Sequence, residues 1–142
     1  MKKTAITTFC LLLTLLLLPA CTHNNGDIGP WFGQWKVERI DIDGTPDPDY
    51  KGDVFFRFQS SIFSLARTDR EDYFTANIWF GSWNEANDVL TIDFPSDINK
   101  VPGGLHLSES NRFRILRNDG KNKTLELVEP DGKRYTYYLK SW

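Results

Sequence analysis

Beyond residue 30 the apolar residues recur at every second position, in short runs broken by turn residues. That period sends alternate side chains to opposite faces of an extended chain and predicts β-strands. Residues 32–42 are the first. Trp35 and Val37 share one face, while Ile40 and Ile42 have the opposite parity. The phase therefore slips near Glu38-Arg39, which predicts a bulge or a strong bend. Asp43-Gly44 closes this strand, and residues 45–52, with two prolines and two aspartates, read as a loop with room for one helical turn. Strands follow over 53–59, 62–68, 72–80 and 89–94, with turns at Ser60-Ser61, Asp69-Arg70-Glu71 and 84–88. In the fourth, Phe74, Ala76, Ile78 and Phe80 make the apolar face and alternate with Tyr73, Thr75, Asn77 and Trp79. Residues 95–111 are the least regular stretch, holding Pro102-Gly103-Gly104 and a brief candidate strand at Leu105-His106-Leu107. The last strands are 112–117, 123–129 and 133–140, with a hairpin turn at 118–122 and a second turn at Pro130-Asp131-Gly132.

This makes eight strands, nine with the brief one, and no helical period after residue 30. Short connections pair sequence neighbours. The expected fold is all-β: a small single domain built as an eight-stranded antiparallel up-and-down barrel. Closure would hide the strand edges. An open sandwich is the alternative.

The first residues follow another pattern. Lys2 and Lys3 precede an apolar run over residues 5–18, which is the layout of a secretory signal. The run is shorter than the roughly 20 residues that span a bilayer. It ends in Leu15-Leu16-Leu17-Leu18-Pro19-Ala20-Cys21, which resembles a bacterial lipobox. The resemblance implies cleavage before Cys21, whose thiol would carry the acyl chains. The chain then divides into a signal peptide (1–20), a flexible polar tether (21–30) and the barrel (31–142). Thr22, not Asp, follows the cysteine. By analogy with lipoprotein sorting in enteric bacteria, that points to an outer-membrane location, anchored by lipid, with the membrane face open.

Composition narrows the chemistry. Cys10 leaves with the leader and Cys21 would be acylated, so the domain has no disulfide, thiol nucleophile or thiolate metal site. The net charge is −2 for the whole chain, and without Lys2 and Lys3 the balance becomes 15 basic against 19 acidic residues. That argues against a nucleic-acid partner. Ten Phe, five Trp and five Tyr are enough either to fill a core with rings or to line a pocket with them.

Gly33-Gln34-Trp35 at the start of the first strand matches the Gly-x-Trp signature of lipocalins. With the lipobox and the eight strands, the chain resembles the small lipocalin-like lipoproteins of Bacteroides-type bacteria, a family with no established function. The resemblance covers roughly residues 30–142. It implies that Trp35, with Gly33, plugs the closed end of the barrel beneath a basic side chain from the last strands. Arg114, Arg134 and Lys140 are the candidates. It also implies a small apolar or amphipathic ligand.

No catalytic constellation is expected. Asp41, Asp43, Asp47, Asp49 and Asp53 lack the spacing of a calcium loop and read as a solvated acidic stretch. His106 is the barrel domain's only histidine, too few for a His-ligated zinc site, and no Gly-x-Ser-x-Gly elbow exists. Asp93 and Glu126 fall opposite the apolar faces of their strands and read as solvated. No metal or cofactor is expected, and the protein does not read as an enzyme. The ligand-binding candidates are the out-of-phase aromatics Trp79, Trp83, Tyr73 and Tyr138, with Arg57 and Arg67 on neighbouring strands. Trp31 at the domain entrance and the terminal Trp142 belong to the same aromatic set. Clustered, these rings would form a patch for a partner; otherwise they fill the core or cap the barrel ends. The partners implied are the membrane through its lipid anchor, and either a small ligand or an envelope protein.

Overall fold

The computed structural model describes residues 29–68, 76–95, 101–130 and 132–142. The expected leader, Cys21, Tyr73 and part of the 95–111 stretch lie outside them.

The described residues form nine strands: β1 (Gly33–Ile42), β2 (Thr45–Pro46), β3 (Val54–Gln59), β4 (Ile62–Thr68), β5 (Ala76–Ala86), β6 (Val89–Asp93), β7 (Ser110–Asn118), β8 (Asn122–Val128) and β9 (Arg134–Ser141). Each of β3 to β9 pairs antiparallel with its sequence neighbour, and β1 pairs with both β3 and β9. Eight strands thus close an up-and-down barrel, as the period-two pattern predicts. The ninth strand is not at Leu105–Leu107. It is the two-residue β2, which folds back on Asp41-Ile42 through an Asp43-Gly44 turn with both residues at positive φ.

The predicted phase slip is a bulge. The β1–β9 register shifts between Val37 and Arg39, leaving Glu38 as the extra residue. Trp35, Val37 and Ile40 therefore all reach the core, although their spacing breaks a strict alternation. Beside the bulge the Tyr50 hydroxyl donates to the Val37 carbonyl, tying the 43–53 loop over the edge that β1 leaves open. Burial, first of all, holds the Tyr50 phenol well above its usual pKa.

Strand β5 differs most from the reading of its residues. It runs to Ala86, so the polar stretch at 84–88 is mostly strand, and only Asn87-Asp88, both at positive φ, make the turn. Its parity is also reversed. Leu65 lies opposite Trp79 and Phe63 opposite Gly81, and Trp83 lies opposite Ile92. Directly paired residues share a face. Trp79 and Trp83 therefore point inward and pack against the core, while Ile78 and Phe80 point outward and are exposed. The segment carries large apolar residues at both parities, so the alternation alone leaves its face undecided. Pairing with β4 decides it.

Rings fill much of the barrel interior. Phe56, Phe58, Phe63, Leu65, Phe113, Leu125 and Tyr137 are all buried to within 1 %. Their rings meet one another: Phe56–Phe63 and Phe58–Phe63 at 5.2 Å, Phe113–Tyr137 at 5.4 Å, Phe63–Phe94 at 5.7 Å between centroids. A side chain lining a water-sized void keeps accessible surface, and these keep almost none.

Gly81 is a packing requirement, not a break in the strand. A Cβ there would lie 2.4 Å from the Asp93 carbonyl oxygen, which belongs to backbone and cannot swing away. Gly81→Ala should destabilise the fold by about 1–3 kcal/mol, the usual cost of forced overpacking. Gly103→Ala, with nothing within 4 Å of its Cβ, is the control and should change little. Urea titration of both variants checks this; equal midpoints would show that the sheet adjusts to a methyl group at position 81.

Candidate functional site

The two ends of the barrel are built differently. At one end lie the start of β1, the tight β3–β4, β5–β6 and β7–β8 turns, and the C-terminus. The opposite ends of the same strands make the mouth.

Trp35 is buried at the first, closed end, and its indole N–H donates to the Trp31 carbonyl at 2.8 Å. Gly33 adopts a φ of 119°, which L side chains rarely accept, so glycine suits the backbone turn ahead of Trp35. Trp31 is not an exposed entrance residue. It is buried, packs on Phe58 at 5.1 Å, and donates its indole N–H to Glu85. The basic partner is none of Arg114, Arg134 or Lys140. It is Lys123, whose ammonium lies 4.1 Å from the Trp35 ring centroid and 4.4 Å from that of Trp31, and donates to Asn118 Oδ1. Arg114 instead pairs outside the barrel with Glu126, and Lys140 with Glu38. The Arg134 backbone N–H donates to Asp43. Glu126 is consequently buried beneath Arg114 rather than solvated.

Burial lowers the Lys123 pKa to about 8, against the opposing pull of the Glu85 and Asp119 carboxylates. Cation–π attraction by the two rings acts in the opposite direction, favouring the charged form. Asp119 in the adjacent hairpin is held down to about 2, chiefly by the backbone N–H groups of Lys121 and Asn122.

Residues 101–109 of the connection from β6 to β7 lie over the mouth. Leu105 of that connection is buried in the core, and Val101 and Leu107 pack against it. Polar contacts hold it from several sides. The Tyr137 hydroxyl donates to the Leu105 carbonyl at 2.7 Å, and Arg67 donates to the Gly103 carbonyl at 3.2 Å. The His106 ring stacks on Tyr135 at 4.3 Å and meets Asp47 Oδ2 at 2.8 Å. Asn111, fully buried, ties the base of the loop by accepting from the Ser108 N–H and donating to the Ser108 and Ile92 carbonyls. His106 sits at a φ of 56°, a left-handed turn that sends Leu105 into the core and the imidazole onto Tyr135. Asp47 is therefore not part of a solvated acidic stretch. Its side chain is buried, and the hydrogen bond with His106, above all, lowers its pKa.

The other candidates do not converge. Arg57 points outward and donates to Gln34 Oε1 at 2.6 Å. Arg67 points inward at the mouth, 3.5 Å from Asp53. Neighbouring strands thus hold the two arginines on opposite faces. Tyr138 lies outside the barrel beneath the Arg39 guanidinium, 4.0 Å from its ring centroid. Trp79 and Trp83 face inward, and Trp83 Nε1 is buried without a partner among the described residues. Among those residues no group of three or more His, Cys, Asp or Glu is placed to hold a metal ion.

The fold has known counterparts. A lipocalin-like protein from Bacteroides uniformis superposes with a TM-score of 0.63 at 16% identity, covering 80% of this chain and 100% of its own. An uncharacterized protein from Bacteroides eggerthii superposes with a TM-score of 0.55 at 15% identity, covering 79% of this chain and 99% of its own. At these identities the likeness is one of fold. No protein-family model matches the chain, and no curated protein matches it in sequence.

The depressed Lys123 pKa makes stability depend on pH. Between about pH 8 and the unfolded value of 10.5 the unfolded chain holds more protons at this site than the folded one. Stability therefore rises with pH across that window. The full effect is about 3 kcal/mol at about 1.4 kcal/mol per pH unit. Lys123→Met should remove the slope. Urea unfolding at pH 7.5, 8.5 and 9.5 measures it, and an unchanged slope in the variant would assign the effect to another group.

Proposed function

We propose that the protein is a lipid-anchored envelope protein whose lipocalin-like barrel takes a small apolar or amphipathic ligand at its mouth. The observation that carries this reading is Leu105. Its side chain, from the covering loop, occupies the top of the apolar interior beside Val101 and Leu107, and polar contacts hold the loop there. A ligand that replaces Leu105 gains the same apolar surroundings in exchange for those contacts. Rings fill much of the interior below, so the ligand is shallow and small. The leader and Cys21 support the anchor, and Thr22 supports the outer membrane.

The ring-packed interior also favours a second reading, an interaction or inhibitor module that presents its surface to an envelope protein. The two readings separate in one experiment. Leu105→Ala leaves a hole at the mouth at a cost of about 2–5 kcal/mol. Titration with N-phenyl-1-naphthylamine, followed by its fluorescence, should show at least tenfold tighter binding to this variant than to the natural chain. Competition by a fatty acid should reverse the signal in both. Absence of any dye binding by either protein, with the variant still folded, would remove the ligand reading and leave the interaction module.

The Asp47–His106 contact predicts a kinetic effect. Asp47→Asn loosens the loop without emptying the mouth, so dye association should become several-fold faster. Stopped-flow mixing reads this directly. Identical association rates would show that the loop does not gate entry.

A further inference from the structure

The outer side of β3, β4 and β5 carries a group of apolar residues, of which Phe55 and Ala66 are buried and Ile62, Ile78 and Phe80 are exposed. Register places Phe55, Ala66 and Ile78 side by side across the three strands, with Phe80 two residues along from Ile78. Ile62 lies beside Ser82 at the next level. Trp142 extends the patch over β1, its ring 5.3 Å from Phe55 and 5.4 Å from the Lys36 ammonium. Trp142 is 75% exposed, Phe80 59% and Ile62 53%. The remaining outward positions there are small or polar; of those in or beside the patch two are basic, Lys36 and Arg57, and one is acidic, Asp93 of β6 opposite Ser82. None of the described outward positions of β3, β4 or β5 is a carboxylate, in a chain whose net charge is negative. Aromatic rings beside isolated cations suit the boundary between acyl chains and anionic headgroups.

The patch also lies at the right corner. The chain enters β1 through Phe32, which is exposed, and the Trp142 backbone N–H donates to the Gln34 carbonyl beside it. Ten residues separate Trp31 from Cys21, a reach of at most roughly 35 Å. An anchor at Cys21 would hold this corner within a few nanometres of the bilayer, where even weak surface affinity is amplified by effective concentration.

We propose that this patch is a membrane-docking face, and that the barrel lies with the outer side of β3–β5 on an anionic bilayer surface. The proposal rests in part on the lipid-anchor reading, but its test does not use the anchor. Among the described residues the buried core runs from Trp31 to Leu139, so residues 22–142 contain all of it. That span, unacylated, should co-sediment with vesicles of phosphatidylethanolamine and phosphatidylglycerol, and much less with pure phosphatidylcholine. Added salt should weaken binding, because headgroup charge is screened. The doubly substituted F80S/W142S protein should lose at least fivefold in the bound fraction, and K36E/R57E should lose its preference for the anionic vesicles. Both pairs lie on the outer surface, and unchanged melting midpoints would confirm that the fold is kept. No vesicle binding by the natural domain, or equal binding by F80S/W142S, would overturn the proposal. So would a dimer in sedimentation velocity that F80S/W142S dissociates, which would assign the patch to a second copy. The anchor is tested separately, by the intact mass of the protein from its native envelope. An acylated Cys21 without vesicle binding removes the docking face alone, while vesicle binding without acylation removes the anchor alone.

Discussion

The closure of β1 against β9 is the constraint on which the rest of this structure depends. β1 must serve two neighbours at once, β3 along its first half and β9 along nearly its whole length. A strand of unbroken alternation would put Ile40 and Ile42 outside if Trp35 and Val37 are inside. The bulge at Glu38 resolves this conflict. It also lets β1 part from β3, and the opened edge is covered by Tyr50 from the following loop. That same loop carries Asp47, whose backbone N–H donates to the Ile40 carbonyl and whose carboxylate meets His106 at the mouth. One extra residue in the first strand thereby sets up the partner for a loop near position 106.

The two barrel ends solve the same problem in opposite ways. Each must stop water from reaching the apolar interior. The closed end does so with large fixed rings, Trp31 and Trp35, and accepts a buried ammonium between them. The arrangement is specific: Asn118, Glu85 and two indoles each satisfy part of what Lys123 or Trp31 loses on leaving water. A buried charge held this way is costly to disturb. The mouth instead uses one leucine on a loop, retained by side chains that reach backbone carbonyls. Hydrogen bonds of that kind contribute about 1 kcal/mol each. Opening the mouth breaks these bonds and also exposes Leu105 and the Val101 and Leu107 side chains packed beside it.

Much of this was legible in the sequence, and the failures have physical causes. The strands, the hairpin at 118–122 and the phase slip at Glu38-Arg39 follow from local alternation. The inward face of β5 does not, because Ile78 and Phe80 compete with Trp79 and Trp83 for the interior and only the pairing with β4 separates them. Lys123 left a signal that went unused: it shares parity with Leu125 and Leu127, so it is a lysine in an apolar phase. Arg114, Arg134 and Lys140, the cations expected near Trp35, are all exposed on the outer surface. Leu105 and His106 had no such signal. Their placement depends on a left-handed turn at a non-glycine residue and on contacts with Tyr135, Tyr137 and Asp47 from distant strands and loops.

The reversed parity of β5 connects the interior to the outer surface. With Trp79 and Trp83 inside, the barrel gains two large rings on that wall, and ring contacts such as Phe58–Trp83 at 5.2 Å help to fill it. The same choice forces Ile78 and Phe80 out, beside Ala66 and Phe55, where folding gains little from burying them. Stability of the barrel does not require apolar residues at those outward positions, since serine stands at Ser64 and Ser82 on the same face. Folding accounts for Phe55 and Ala66, which are buried, and leaves the exposed Ile62, Ile78 and Phe80 outside its own demands.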